Sequence, residues 1–156
     1  MHTLRNRVTM NCQIRLAQLS DAQEIAILSK ELGYPATTAE ISDRLELLLP
    51  NPMHLVLVAE ATDNSSLLGW LASERRITLE SGVRFEIVGL VVSERARRQG
   101  IGRALLEASE RWVVGHSGSN VNVRSNILRP ESHGFYESLG YVRKKTQHAY
   151  YKNLAV

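Results

Sequence analysis

Residues 83–103 constrain the fold of this chain more than any other stretch. Val83-Arg84-Phe85-Glu86-Ile87-Val88-Gly89-Leu90-Val91-Val92 is rich in β-branched and aromatic residues and reads as a strand over 83–93. Ser93-Glu94-Arg95-Ala96 interrupts it. Arg97-Arg98-Gln99-Gly100-Ile101-Gly102-Arg103 then leads into a helix expected over 99–114, with Ile101, Leu105, Ala108 and Trp112 as its buried stripe. Val121 and Val123 mark a short strand over 121–124. Strand, helix and strand in this order make a βαβ unit, so the two strands should lie parallel.

The turn inside this unit has a chemistry of its own. Free N–H groups and the positive end of the helix point into the loop. Gly100 and Gly102 remove side chains that would block an anion, and Arg97, Arg98 and Arg103 add charge. Such a turn suits a diphosphate. It is neither the Gly-x4-Gly-Lys-Ser/Thr loop of mononucleotide binders nor the Gly-x-Gly-x-x-Gly fingerprint of dinucleotide binders. A glycine pair at a helix start also has a purely structural reading. The preceding strand and the arginines weigh against it here.

The rest of the chain reads as one domain, 13–156, behind an extension at 1–12. Gln13–Ala17 alternates as a strand. Ser20-Asp21 suits the start of a helix carrying Ile25, Leu28 and Leu32, and Thr37 or Thr38 the start of another carrying Ile41, Leu45, Leu48 and Leu49. Strands follow at 54–60 and 67–76, with a turn cluster at 62–66. Pro130 suits the first position of a helix that ends at Gly140, and 141–154 suit one or two strands. The order is β-α-α-β-β-β-α-β-α-β-(β), an α/β fold with a mixed sheet.

Hydrophobic residues make up 44% of the chain, which favours a globular fold. No apolar run approaches the roughly 18 residues of a membrane span. The first residues lack the apolar stretch of a secretory signal. The single cysteine, Cys12, excludes an internal disulfide framework and a cysteine metal cluster, and no His/Asp/Glu group has metal spacing. A cytoplasmic protein with no metal and no membrane partner is expected. The net charge of +3 is too mild to argue for nucleic acid, and the arginines lack the interleaved aromatics of a single-strand binder.

Arg97-Arg98-Gln99-Gly100-Ile101-Gly102 resembles the Gln/Arg-x-x-Gly-x-Gly/Ala signature of the GNAT superfamily of N-acetyltransferases. Phe135-Tyr136-Glu137-Ser138-Leu139-Gly140-Tyr141 is similar to its second motif, Phe-Tyr-x-x-Leu-Gly-Phe/Tyr. The element order over about 13–154 agrees. The resemblance implies a mostly antiparallel central sheet with a βαβ unit, flanked by about four helices. It implies acetyl-CoA as co-substrate, with the pyrophosphate on the amides of residues 98–103, beside Arg97. The pantetheine arm would lie along Leu90, Val91 and Val92. Gly89 fits this independently, since a glycine inside a strand often marks a bulge or a close approach. The family splays its sheet near this point, which would turn the Leu90 N–H toward the thioester oxygen.

Acyl transfer to an amine needs a base for the ammonium, a donor for the oxyanion and an acid for the thiolate. Tyr136 matches the tyrosine that serves as acid in many members; its other reading is a core aromatic beside Phe135. Glu86 is the candidate base, four residues before Leu90 and hence on a related face; its other reading is a salt bridge with Arg84 or Arg75. A water chain is the alternative base. Asn126 resembles the family's pantetheine-contacting asparagine, though it stands ten residues before Tyr136, where the family often has about seven; Ser125 and Arg124 are equally placed. His133 reads as a helix-face histidine and His54 as structural or substrate-side.

The function implied is direct transfer of an acetyl group from acetyl-CoA to a primary amine in a ternary complex. The alternative is a catalytically silent acyl-CoA-binding regulatory or scaffolding domain. The acceptor is a small-molecule or peptide amine whose identity stays open, and a homodimer is an open oligomeric expectation.

Overall fold

Alternating apolar residues set five strands side by side in chain order. The computed structural model describes residues 12–31, 33–125 and 130–155. Its strands are β1 Cys12–Leu16, β2 His54–Ala61, β3 Leu67–Thr78, β4 Gly82–Val92 and β5 Asn122–Val123. β1 to β4 pair antiparallel, and β5 runs parallel to β4, as a βαβ crossover demands. The sheet is mixed and mostly antiparallel, and the described residues hold four α-helices: α1 Ala22–Glu31, α2 Thr38–Leu48, α3 Ile101–Gly115 and α4 Pro130–Ser138. β1 begins at Cys12, one residue earlier than expected. Residues 1–11, Leu32 and Asn126 lie outside the described residues. No described helix is long and apolar enough to cross a membrane.

The chain divides into two compact units between Val123 and Arg124. In the first, α1 and α2 cover one sheet face, where Ile25, Leu28 and Leu45 join Val56, Val58 and Val91 in one buried cluster. α3 covers the other face. Its Leu105 and Leu106 are fully buried, and Phe85 of β4 meets Trp112 edge-on at 5.5 Å. The buried stripe of α3 is Ile101, Leu105, Ser109 and Val113, with Gly102 and Leu106 beside it. Ala108 and Trp112 are only half-buried, so the stripe is turned by one residue from the expected one.

Local chemistry fixes the helix starts. The Thr37 hydroxyl accepts the Glu40 N–H at 3.1 Å, and the Glu40 carboxylate accepts the Thr37 N–H at 3.1 Å, a reciprocal cap that selects Thr37 over Thr38. Asp21 fastens the entry to α1. It accepts two Arg15 hydrogen bonds, at 2.8 and 2.9 Å, and the Gln18 N–H at 2.8 Å, while Arg15 also pairs with Glu60. Burial pushes the Asp21 carboxyl up, but the Arg15 and Gln18 hydrogen bonds outweigh it and hold the group below its usual range. A carboxyl whose folded pKa is depressed stabilises above its unfolded value of about 3.9 and loses that contribution as pH falls through the folded one. Melting curves at pH 6 and pH 3 are therefore expected to fall less with acid in Asp21→Asn than in the wild type, with the variant about 1–3 kcal/mol less stable at pH 6.

In the second unit, α4 closes at Gly140 in the left-handed region, φ +89°, and the Tyr141 N–H returns to the Tyr136 carbonyl at 3.1 Å. Residues 141–155 form no strand, which corrects the expectation of one or two there. The run Arg143-Lys144-Lys145-Thr146-Gln147-His148 has no apolar alternation, and Val142, Tyr150, Tyr151 and Leu154 are exposed. The described part of this unit holds no other strand for them to pair with, and a strand is not stable alone.

Candidate active site

The turn between β4 and α3 is built from unusual backbone. A single 3-10 turn, Glu94–Ala96, leads to Arg97 in extended conformation. Arg98 then takes φ +63° and Gly100 φ +80°. The left-handed region strains a non-glycine residue such as Arg98, an observation that often accompanies function. At Gly100 an added Cβ would meet nothing within 4 Å, so glycine serves the conformation there rather than a tight packing.

Helix α3 starts without a side-chain cap and without an acidic residue in its first turn. Its Ala104 N–H bonds to the Gly100 carbonyl at 3.0 Å, so the Ile101, Gly102 and Arg103 N–H groups have no partner inside the helix. The Gln99 side-chain oxygen is buried without a protein partner. A diphosphate fits this turn: donors at a positive helix end, no acidic residue in the first turn of α3, and exposed Arg97 and Arg98 at its rim. Two arginines are engaged elsewhere. Arg103 pairs with Glu107 at 2.9 Å, and Arg95 donates to Ser66 Oγ and the Leu67 carbonyl, each at 3.2 Å.

β4 carries the bulge that Gly89 suggested. Gly89 pairs with Ala72 and Ile87 with Ser73, so Val88 is the extra residue. The bulge changes which residues share a face. Glu86 pairs with Glu74, and Leu90 with Leu71. Cross-strand partners share a face, and positions 74 and 71 lie an odd number apart. Glu86 and Leu90 therefore sit on opposite faces, which corrects the same-face expectation. Glu86 shares the α1/α2 face with Gly89, Val91, Trp70 and Glu74. A Cβ on Gly89 would run into the Trp70 ring at 2.6 Å, so only glycine lets that ring lie over the strand. The Trp70 indole nitrogen is buried without a partner.

Glu86 is buried, and its Oε2 accepts Arg76 Nη1 at 2.8 Å. The salt bridge foreseen with Arg84 or Arg75 is thus made by Arg76. Sequence reading missed this residue. The available signal was the hairpin turn: a turn at 79–81 sets Arg76 opposite Arg84 and one step diagonal from Glu86. Arg76 Nε also lies 3.3 Å from Glu74, and His54 Nδ1 lies 3.9 Å from the other Glu74 oxygen.

In the second unit Tyr136 sits on α4 in edge-on contact with Phe135, at 5.2 Å, and with Tyr141, at 5.8 Å. Burial raises its phenol above the ordinary value, so it stays protonated through the neutral range. Ser125 has a buried hydroxyl without a partner.

The family model for acetyltransferases of the GNAT type matches residues 19–141. The chain belongs to the GNAT acetyltransferase family. A search of curated proteins gave no match. Solved structures give the GNAT fold clearly. Glucosamine-6-phosphate N-acetyltransferase from Arabidopsis thaliana is 20% identical over 91% of this chain and 99% of its own, with a TM-score of 0.78. A transcriptional regulator from Bacillus halodurans C-125 is 18% identical over 90% and 99%, with a TM-score of 0.81. AAC(6')-Iy, in complex with the bisubstrate analog CoA-S-monomethyl-acetylneamine, is 20% identical over 91% and 98%, with a TM-score of 0.78. At these identities the likeness is one of fold. The family match makes this GNAT chain an acetyltransferase and names no substrate.

Proposed function

We propose that this protein moves an acetyl group from acetyl-CoA to a primary amine by direct attack in a ternary complex. The uncapped start of α3, behind the left-handed Arg98 and Gly100, is the observation that carries the reading. The pyrophosphate is held by the amides from Arg98 to Arg103, with Arg97 at the rim. The pantetheine follows Leu90, Val91 and Val92, and Asn126 contacts it. Glu86 takes the ammonium proton, directly or through water. The amine nitrogen then bonds to the thioester carbon, and the Leu90 N–H holds the oxyanion. The C–S bond breaks as the oxyanion collapses, and Tyr136 gives its proton to the departing thiolate. The extra proton left on the attacking nitrogen passes to the Tyr136 phenolate through water, which leaves the amide, free CoA thiol and a restored phenol. The domain runs from β1, which takes in Cys12 as well as the expected 13–156, behind an N-terminal extension, and works in the cytoplasm on a small-molecule or peptide amine, as a monomer or a homodimer.

A regulatory domain that binds acyl-CoA without turnover is the second reading. The ion pair that engages Glu86 and the fold shared with a transcriptional regulator favour it. One assay separates the two. The protein is incubated with acetyl-CoA and kanamycin, glucosamine 6-phosphate, spermidine or a lysine peptide, and free thiol is followed. Amine-dependent thiol release is expected; CoA binding with no release for any amine class would establish the silent reading.

Calorimetry is expected to give micromolar affinity for acetyl-CoA, a Kd of about 1–100 μM, and much weaker binding of ATP and NAD. Equal affinity for ATP would overturn the site assignment.

A further inference from the structure

β1 stands at the end of the sheet, and among the described residues only β2 pairs with it. Its outer edge can be read from one bond. The Ala17 N–H bonds to the Val56 carbonyl at 2.9 Å, in line with the unshifted register Leu16↔Leu57 to Cys12↔Ala61. In an antiparallel ladder, residues that bond across alternate with residues whose N–H and C=O face away. Ala17, Arg15 and Gln13 therefore turn these groups to β2, and Leu16, Ile14 and Cys12 turn theirs outward. The Leu16 carbonyl receives Arg15 Nη1 at 3.1 Å, which leaves its second lone pair for another donor. Edges are commonly guarded by a lysine, a proline, a bulge or an unpaired charge. Cys12-Gln13-Ile14-Arg15-Leu16 has no lysine, no proline and no bulge, and its one charge is taken up by Asp21 and Glu60. Leu16, at the end of this edge, is 64% exposed.

We propose that β1 is the seam of a homodimer, in which two copies of this chain pair their β1 edges antiparallel about a two-fold axis at Ile14. The strand itself selects this partner and this axis. With Ile14 opposite Ile14, Cys12 falls opposite the partner's Leu16, and each outward N–H and C=O of these residues meets a group that faces it. Gln13 falls opposite the partner's Arg15, an amide oxygen beside a guanidinium. An axis at Arg15 would set two guanidiniums face to face, where like charges repel. An axis at Cys12 would leave Leu16 with no partner in β1. The exposed Leu16 side chain lies against Cys12 across the seam, and the two sheets run on as one.

Sedimentation equilibrium of the full chain tests this. At about 100 μM, above the micromolar Kd of a small interface, the mass is expected to be twice that of one chain. Ile14→Pro removes an outward N–H and none of the bonds to β2, and should leave a monomer. Gln13→Lys is the second variant. Position 13 is exposed, so the fold tolerates the change, and the new cation opposite Arg15 should raise the dimer Kd about tenfold. The register has its own readout. Residues facing each other as Cys12 and position 16 do have Cα atoms about 5.5 Å apart, within disulfide reach. Leu16→Cys should therefore form a covalent dimer on mild oxidation. The wild type should not, because its two Cys12 residues lie about 13 Å apart along the seam. A wild type that stays monomeric would overturn the proposal. So would a dimer unchanged in both Ile14→Pro and Gln13→Lys, which would place the contact elsewhere. Oxidation that cross-links the wild type as readily as Leu16→Cys would overturn the axis. A dimer that forms only once residues 1–10 are removed would make the extension the occupant of this edge instead.

Discussion

Gly102→Asp is expected to abolish CoA binding. Gly102 is buried in the first turn of α3, where the helix presents free N–H groups. An aspartate there puts a negative charge where the pyrophosphate must sit. Two like unit charges about 4 Å apart near a protein surface repel by about 4 kcal/mol, which corresponds to roughly a thousandfold in Kd. Because the position is buried, Gly102→Ala is the control for packing. It should weaken CoA binding far less than the aspartate, with both melting curves recorded. An aspartate variant that folds and keeps its CoA affinity would make the glycine turn a structural element only.

Tyr136→Phe is expected to slow acyl transfer by about one to three orders of magnitude while leaving folding and CoA affinity little changed. The substitution keeps the edge-on contacts with Phe135 and Tyr141 and removes only the donor. The pH profile gives an independent check. Burial raises the Tyr136 phenol, so the acid form persists to higher pH than in a free tyrosine. The alkaline fall in wild-type rate should therefore come at higher pH than the titration of a free tyrosine, and it should flatten in the variant. Turnover and melting temperature measured on one preparation decide the matter. A wild-type rate would remove Tyr136 from the mechanism and leave it as a packing aromatic.

What was legible in the sequence was mostly local. A threonine cap at the start of α2, the glycine closing α4 and the β4-α3-β5 crossover each depend on residues close together in the chain, and each is present, though the choice of Thr37 over Thr38 came from the structure. Long-range pairing was less legible. Glu86 and Leu90 looked alike in phase because nothing in the spelling of β4 marks Val88 as the extra residue; Gly89 only signalled that something irregular was near. Arg76 was missed for the same reason, since its distance from Glu86 is set by the hairpin register. The segment 141–154 misled in the other direction. Tyr150 and Tyr151 favour strands, but propensity alone supplies no hydrogen-bonding partner. In α3, periodicity gave the helix and the Ile101 and Leu105 part of its inner face, and the rotation toward Ser109 and Val113 had to come from packing.

The extra residue at Val88 makes β4 a strand written in two phases. On its N-terminal side Phe85 and Ile87 point toward α3; on its C-terminal side Leu90 and Val92 do. Removing one residue at the junction would restore simple alternation and exchange the two sides of everything before it. Phe85 and Ile87, each 3% exposed, would turn out of the α3 interface, and Arg84 and Glu86 would turn into it. Each displaced apolar side chain would forfeit about 1.5–3 kcal/mol of burial. A charged pair would enter a dry layer at the same time. A single-codon deletion here is thus a far heavier lesion than a substitution of exposed Val88 itself, which can change its side chain freely so long as its place in the count is kept.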